Sequence, residues 1–372
     1  LEFEMKKILV TGGPVHAHLD SVKLITNRFR GGLMAATADK FNHLPGVEVH
    51  YLSSKASVVP NSISKQRLHI HSGFHDYMEK VLEMAPKFDA VVLGAAVCNL
   101  IPVKPFEGKF PSHNYKPGDI IPIDFTIAPR VIDEVKKVAP NTHLFGYKLL
   151  QGVDHEELVQ AAYDIVLESR ATCVFANDAN DLNTKFAVTK EGAEHRVLFP
   201  QQAKFMMDMI NDEYYRTELV DIDSINCSLR SLDQTETKTI EVINRFKDKF
   251  IEKNGYVFGT VAVRMENGFM TTARGKNEIE DLVVVDRVDH GKRIVYSHGK
   301  KATLNAPLLA RIFWANPEAN VIVHYHELNT GLPKLTYAPP GTVRDSLRPR
   351  SALINDFEIK DHGVFRMFRE II

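Results

Sequence analysis

The sequence predicts an α/β protein of two domains, the first a Rossmann-like, three-layer domain built on a parallel sheet. The 372 residues exceed the ~250 to 300 residues at which a single core stops growing. Short β-rich runs alternate with helical patterns as far as about Tyr215, as parallel sheets require. A polar segment then follows. We therefore expect a first domain at residues 6–216, a linker at 217–235 and a second domain at 236–372.

The elements of the first domain can be assigned in order. Strands are predicted at 8–11, 47–52, 90–93, 144–148 and 173–176. Helices, with apolar residues at three and four spacing, are predicted at 33–42, 69–84, 128–138 and 156–169. Asp154 is the expected N-cap of the last helix, with Glu157 at the capping-box position. Strands at 185–188 and 195–199 form a predicted hairpin around Glu191 and Gly192.

The second domain is predicted to begin with a helix at 235–253 that Asn254 and Gly255 end. Further strands are predicted at 256–264, 268–272, 282–287 and 293–296. A helix at 306–315 and a strand at 320–326 follow, and the order indicates a mixed α/β domain.

Composition excludes some classes of partner. Lys plus Arg number 46 and Asp plus Glu 47, so no strong field attracts nucleic acid or an anionic membrane. Cys98, Cys173 and Cys227 lack CxxC spacing, which favours a reducing compartment. The apolar stretch 90–101 is shorter than the ~18 residues of a spanning helix, and nothing before Met5 resembles a signal peptide. We therefore expect a cytoplasmic protein with no nucleic-acid or membrane partner.

A phosphate-binding pattern lies between residues 8 and 37. A short strand ends at Gly12 and Gly13, a polar segment follows, and Gly31 and Gly32 open a helix. Glycine turns and helix N-termini present free backbone N–H groups to anions. Two glycines after a strand also occur where a helix merely packs closely, and this alternative stands on the pattern alone.

The amino-acid sequence of this segment resembles the motif of one ligase family. TGGP followed by DSVKLITNRFRGG resembles the GGT…D-x-V-R-x-I-[ST]-N-x-S-S-G signature of phosphopantothenoylcysteine synthetases. Four further segments match in order, namely VVLGAAVCNL, GKFPS, FGYKLL and FAND. The resemblance implies a phosphopantothenate–cysteine ligase of coenzyme A synthesis. Such an enzyme uses CTP or ATP with Mg²⁺, forms an acyl nucleotide and joins a small-molecule carboxylate to an amine.

The resemblance also implies roles for single residues. Asn27 would hold the acyl nucleotide, and Lys109 would neutralise phosphate charge unless it is a solvated surface lysine. The implied nucleotide-binding residues are Gly12, Gly13, Arg30, Gly31, Gly32, Ala95, Asn99 and Lys148. Asn99 stands where the family has Asp, and Phe29-Arg30 replaces Ser-Ser, so specificity is expected to differ. His16 and His18 match no family role and are either ligands or exposed polar residues.

A histidine pattern marks the second domain. His324 and His326 are two apart on a predicted strand, so their rings share a face. His362 follows another strand-like run, and three imidazoles with an open fourth position form a catalytic zinc site. A purely structural pair of histidines is the alternative.

Ordered segments around these histidines resemble the class II aldolase/adducin family. They include FGTVAVR, GFMTTARG, VIVHYHE and KDHGVF. The resemblance implies a class II aldolase-like αβα fold with Zn²⁺ bound by His324, His326 and His362, and an anion near Arg274 and Gly275. Asn305 stands where the family has its catalytic Glu and cannot take a proton.

Glu327 is a candidate replacement for that base, but strand alternation points its side chain away from the face of His326. Our leading hypothesis is an acid–amine ligase fused to an aldolase-like metal domain. One alternative is a zinc-dependent lyase or epimerase with a nucleotide-binding accessory domain, and another is a non-catalytic binding fusion. Both families imply a homo-oligomer, either a dimer or a tetramer.

Overall fold

The computed structural model describes residues 5–190, 192–221, 229–253 and 255–370. Glu191 of the predicted turn, Asn254 of the predicted helix stop, Cys227 and part of the predicted linker lie outside the described residues. The chain divides into two compact units, Leu1–Ile210 and Asn211–Ile372. The first unit therefore ends at Ile210, before the boundary expected at residue 216.

The first unit alternates strands and helices, as its sequence predicts. Its principal strands are β1 Lys6–Gly12, β2 Val47–Ser54, β3 Leu68–His71, β4 Ala90–Leu93, β5 His143–Leu150, β6 Cys173–Asp178, β7 Asp181–Thr189 and β8 Glu194–Leu198. Its helices are α1 Gly32–Asn42, α2 Phe74–Met84, α3 Val131–Val138, α4 His155–Ser169 and α5 Gln202–Ile210. The Asp154 side chain accepts a hydrogen bond from the Glu157 backbone N–H, so the predicted N-cap of α4 is confirmed.

These eight strands form one sheet in the order β8-β7-β6-β5-β4-β1-β2-β3. The pairings from β3 to β6 are parallel, whereas β7 is antiparallel to both its neighbours. Central strands such as Ile8–Val10 are fully buried. Because all the parallel strands point the same way, the loops after β1, β4, β5 and β6 meet at one edge of the sheet.

One predicted helix of the first unit is partly wrong. The first three residues of the helical pattern at 69–84 belong instead to the edge strand β3, Leu68–His71, which pairs with Tyr51–Ser54. The helix itself begins only at Phe74. Apolar spacing at 69–84 fits a helix, but the pairing with a distant strand overrides this local preference.

The second unit has its own sheet and two principal helices among its described residues. Its strands are β9 Arg216–Val220, β10 Thr260–Arg264, β11 Phe269–Thr272, β12 Leu282–Asp289, β13 Ile294–His298, β14 Val321–Tyr325, β15 Lys334–Leu335, β16 Phe357–Ile359 and β17 Gly363–Phe368. The helices are α6 Leu229–Phe246 and α7 Ala306–Ala315, and one turn of helix follows at Val343–Ser346.

The second sheet has the order β9-β13-β12-β11-β10-β14-β17-β16-β15. Its pairings from β13 to β16 are antiparallel, and only the two outermost pairings are parallel. A core around Phe365, Ile322 and Leu308 packs between this sheet and α7. This mixed α/β architecture puts β10, β14 and β17 side by side at the centre of the sheet.

Three predicted boundaries in the second unit are wrong. Helix α6 ends at Phe246, and Ile251–Lys253 instead pair with Tyr256–Phe258 as a two-stranded ribbon. The single strand expected at 256–264 is broken at Gly259, whose φ is +136° and whose Cβ would lie 2.2 Å from the Phe250 ring. Strand β9 begins at the last residue of the predicted first domain and continues to Val220 in the segment predicted as a linker. In the described part of the chain, no helix has the length and apolar character needed to cross a membrane.

Candidate nucleotide and metal sites

Two pairs of glycines form a backbone cradle at the edge of the first sheet. Gly31, the N-cap of α1, has a φ of +84°, and a Cβ on it would lie 2.3 Å from the Gly13 nitrogen. Only glycine permits this left-handed conformation together with so close an approach of two backbones. Gly32 begins the helix with open space around it. The first backbone N–H groups of α1 are therefore exposed beside the end of β1, as an anion site requires.

The loop after β4 is tied to this cradle by hydrogen bonds. The Gly94 N–H donates to the Thr11 carbonyl at 3.2 Å, and the Ala96 N–H donates to the Gly13 carbonyl at 2.9 Å. The Asn27 side-chain amide donates to the Ala96 carbonyl at 3.0 Å. Segments that are distant in the sequence thus meet around one point. Asn27 lies at that point, and its side-chain oxygen remains able to accept or orient a ligand group.

A cavity of about 500 Å³ opens beside the cradle. Its lining comprises residues 29–34 before and within α1, residues 94–96 after β4, Tyr147 and Leu149 on β5, Asn177 on β6, and Leu182 and Lys185 on β7. The cavity runs from the cradle across the ends of four strands. Its glycine-rich end suits phosphates, and its far end, with an aromatic ring and two leucines, suits a flat apolar group.

A buried lysine lies at the far end of the cavity. Lys185 is 2 % exposed, and its ammonium group donates to Asn177 Oδ1 at 2.7 Å and to the Leu182 carbonyl at 2.9 Å. Burial lowers the pKa of Lys185 to about 8. The Asn177 amide donates in turn to the carbonyls of Lys148 and Phe175. Sequence reasoning included Asn177 only within the FAND resemblance and missed Lys185 as a site residue.

The structure brings some of the predicted nucleotide-binding residues together. Arg30, Gly31, Gly32 and Ala95 line the cavity, with Gly12 and Gly13 directly behind Gly31. Lys148, Asn99 and Lys109 are not part of its lining. On β5, alternation presents Tyr147 and Leu149 to the cavity and Lys148 to the opposite face.

Lys109 is exposed but lies on an anchored loop. On one side of it, the Gly108 carbonyl accepts a hydrogen bond from the Ser21 N–H at 2.9 Å. On the other side, the Phe110 N–H donates to the Asp20 carboxylate at 3.0 Å. The hydrogen bonds from the Lys23, Phe110 and Val22 backbones hold the pKa of Asp20 well below its usual range. The lysine that the resemblance singled out is thus attached to the segment that leads to Asn27.

His16 and His18 lie in the segment that follows β1 and not in the cavity lining. The Nε2 atoms of both rings lie within 2.8 Å of the Ser72 carbonyl. His71, the last residue of β3, is 1 % exposed, and burial together with His16 lowers its pKa to about 4. These contacts favour the interpretation of His16 and His18 as loop-anchoring polar residues.

The three histidines of the second unit converge. The candidate ligand atoms of His324, His326 and His362 all lie within 4.8 Å of one another. His324 is near the end of β14, His326 follows directly, and His362 lies in the turn before β17. This turn approaches β14 so closely that a Cβ on Gly363 would lie 2.3 Å from the Tyr325 carbonyl oxygen. Gly363 therefore allows His362 to reach the other two rings.

The hydrogen bonds of His324 suit a metal ligand. Its Nδ1–H donates to the Val364 carbonyl at 2.9 Å, which leaves Nε2 as the unprotonated nitrogen. Nε2 is buried and has no hydrogen-bond partner among the described residues. Burial and the neighbouring His326 hold the pKa of His324 well below its usual value, and burial and Lys276 lower that of His326 to about 4. Neutral imidazoles of this kind are the form that binds a divalent metal.

The structure also describes the other residues that the sequence predicts for this site. Asn305 is the N-cap of α7 and is 6 % exposed. Its side-chain amide donates to Thr260 Oγ1, and Thr260 is the β10 residue that pairs with His324 on β14. Glu327 accepts an ion-pairing hydrogen bond from Lys249 at 2.9 Å. Arg274 and Gly275 are exposed. The carboxylate of Glu327 is therefore engaged by Lys249.

A largely parallel sheet with a glycine cradle and a cavity at the carboxyl ends of its strands defines an open α/β protein of the class that binds ligands at this edge. Residues 3–220, more than half of the chain, match the family described as the DNA/pantothenate metabolism flavoprotein C-terminal domain. The chain belongs to this family.

Individual relatives agree with this membership. The chain is 30% identical over 175 residues to the coenzyme A biosynthesis bifunctional protein CoaBC of Thermococcus kodakarensis, a match that covers 47% of this chain and 41% of that protein. The chain spans about two fifths of the length of the curated relatives it matches.

Solved structures resemble each part of the chain at low identity. The DNA/pantothenate metabolism flavoprotein of Streptococcus pneumoniae is 22% identical, with a TM-score of 0.48, over 55% of this chain and 98% of that one. An L-fuculose-1-phosphate aldolase from Thermus thermophilus is 15% identical, with a TM-score of 0.28, over 37% of this chain and 80% of that one.

Proposed function

We propose that the first unit is an acid–amine ligase of the phosphopantothenate–cysteine type that uses CTP or ATP with Mg²⁺. The observation that carries this proposal is the cavity of about 500 Å³ that begins at the glycine cradle, in a chain whose family includes coenzyme A biosynthesis proteins. Backbone N–H groups at a helix N-terminus stabilise phosphate charge as it shifts during transfer.

Single residues have distinct tasks in this proposal. The N–H groups beside Gly31 and Gly32 bind the triphosphate, and the carboxylate of the acid substrate attacks the α-phosphorus while pyrophosphate leaves. Asn27, held by Ala96, orients an oxygen of the resulting acyl nucleotide without forming an ion pair. The amine then attacks the acyl carbon and releases the nucleoside monophosphate. Lys109 neutralises charge on the phosphates from its anchored loop.

Pyrophosphate release tests this proposal. The full chain is incubated with 4′-phosphopantothenate, cysteine, Mg²⁺ and either CTP or ATP. We expect release that depends on all components and falls at least tenfold in Asn27→Ala. The matched control is Asn42→Ala, because the Asn42 amide also donates to a backbone carbonyl, that of Ser62 at 2.9 Å, but Asn42 is the last residue of α1, at the opposite end of the helix from the cradle. No release with either nucleotide contradicts the proposal, and equal rates in the two variants contradict the role of Asn27.

For the second unit we propose a divalent metal site, with Zn²⁺ held by His324, His326 and His362. The buried, unpartnered Nε2 of His324 supports this fit, because such an atom is unfavourable unless a ligand occupies it. Bound zinc would supply Lewis-acid chemistry. Asn305 donates a hydrogen bond to Thr260 Oγ1 and cannot accept a proton, so a lyase or epimerase reaction here needs a base from the substrate or from another residue.

Metal content tests this second proposal. We expect about one zinc per chain after purification, and loss of it in His326→Gln. His298→Gln is the matched control, because His298 is also buried in this unit but lies on β13. Less than about one tenth of a zinc per chain in the folded wild-type protein, before and after zinc loading, contradicts the proposal.

A further inference from the structure

The buried ammonium group of Lys185 has a hydrogen-bond donor to spare. An ammonium group has three N–H donors and no acceptor. Two of them are used by Asn177 Oδ1 and the Leu182 carbonyl. In the described part of the chain no carboxylate forms an ion pair with it, and Asp181 is the only charge that raises its pKa. One donor of a cation that is 2 % exposed is therefore available where Lys185 lines the cavity.

The neighbour Asn177 keeps this donor in place. Its side chain is 4 % exposed, its amide nitrogen donates to the carbonyls of Lys148 and Phe175, and its oxygen accepts from Lys185. All these contacts fix the ammonium group at the end of β6. A buried polar group that is positioned this firmly is expected to bind an acceptor of a ligand, because an unused buried donor is unfavourable.

The position of Lys185 in the cavity identifies the ligand group. Strand β7 is four strands from β1 in the sheet, and neighbouring strands lie about 4.8 Å apart, so Lys185 and the cradle occupy opposite ends. Tyr147, Leu149 and Leu182 surround the end at which Lys185 lies. Aromatic and aliphatic walls suit the faces of a planar heterocycle and are unfavourable to a hydrated phosphate.

We propose that Lys185, positioned by Asn177, donates a hydrogen bond to an acceptor on the nucleobase and so determines which nucleotide the first unit prefers. This inference rests on the proposed nucleotide-dependent ligase function. The phosphates bind at Gly31 and Gly32, and the base extends over Tyr147 to place a ring nitrogen or carbonyl oxygen at the Lys185 ammonium group.

Binding of three probes by the full chain tests the inference. CTP, ATP and inorganic tripolyphosphate are titrated with Mg²⁺ present. We expect Lys185→Met to lower the affinity for the preferred nucleotide at least tenfold, to reduce the ratio between CTP and ATP affinities, and to change tripolyphosphate affinity less than twofold. Lys185→Gln, which keeps an amide donor, is expected to give an intermediate loss and maintains the test if the Met variant does not fold.

Lys136→Met is the matched control. Lys136 is also a lysine whose pKa is lowered to about 8 by burial, and it donates to the carbonyls of Pro140 and Thr142 away from the cavity. We expect wild-type affinities from it. An equal loss of tripolyphosphate affinity in Lys185→Met, or no loss for any probe, overturns the inference and leaves the ligase proposal intact. Failure of the wild-type chain to bind either nucleotide overturns both.

Discussion

Substitution of Gly31 tests whether the cradle depends on one backbone conformation. In Gly31→Ala, the new Cβ meets the Gly13 nitrogen at 2.3 Å and the Gly13 Cα at 2.6 Å, and φ remains at +84°. The left-handed conformation alone costs a non-glycine residue about 1 to 2 kcal/mol. Both clashing atoms belong to the backbone, so no side-chain rotation relieves the contact. We expect a loss of at least about 2 kcal/mol in the free energy of unfolding of the first unit.

Gly32→Ala is the matched control for stability. Nothing lies within 4 Å of a Cβ at Gly32, and its φ is not in the left-handed region. Ala is favoured over Gly in a helix by up to about 1 kcal/mol, so this variant is expected to be as stable as the wild type or slightly more stable. The two neighbouring substitutions are therefore expected to change the free energy of unfolding in opposite directions. The resulting difference between the two variants is about 2 to 3 kcal/mol.

Urea unfolding followed by two signals measures this difference. Far-UV circular dichroism follows both units, whereas Trp314, the one tryptophan of the sequence, reports the second unit. In Gly31→Ala we expect the first-unit transition to shift to lower urea and the Trp314 transition to stay unchanged, with nucleotide affinity at least tenfold lower. The reasoning is refuted if Gly31→Ala unfolds within about 0.5 kcal/mol of Gly32→Ala and binds nucleotide like the wild type.

Two further predictions concern stability. His71 has a pKa of about 4 in the folded chain against about 6.5 when unfolded, so the unfolded chain binds the proton first and stability falls as pH decreases through this window. Between pH 7.5 and 5.5 His71 accounts for about 1 kcal/mol of this loss. The urea midpoint of His71→Phe should therefore depend less on pH than that of the wild type. An equal pH dependence of the two midpoints contradicts the lowered pKa of His71. Asp154→Ala removes the N-cap of α4 and should lower the free energy of unfolding by about 1 kcal/mol, whereas Asp164→Ala, in the middle of the same helix, should change it less.

The alternating pattern predicted most of the first sheet correctly, because buried parallel strands have a strong local signature. Strand β4 was predicted with the bounds that it has, at Ala90–Leu93. The edge strand β3 was missed, because its pairing with Tyr51–Ser54 is not visible within its own four residues. Gly259 was read as an ordinary strand residue, although the distant Phe250 ring requires a glycine there.

The candidate sites also contain some residues that the sequence identified and others that only the structure revealed. The glycines of the cradle and the three histidines were identified from sequence because their spacing carries the chemistry directly. Lys185 was not, since a lysine on a strand is usually solvated, and only Asn177 and Leu182 make it a buried donor. Lys148 was included from a motif, but strand alternation directs it away from the cavity that Tyr147 lines.

The hydrogen bonds of the cradle connect binding with folding. Gly13 accepts from Ala96, and Asn27 donates to the same residue, so the anion site exists only after β1 and β4 have paired across more than 80 intervening residues. Long-range pairings of this kind form slowly, because the loop between the strands must close first. A ligand that binds only the completed cradle stabilises it by about 2.7 kcal/mol at a concentration of 100 times its Kd. A nucleotide that binds as proposed is therefore expected to raise the resistance of the first unit to proteolysis and heat.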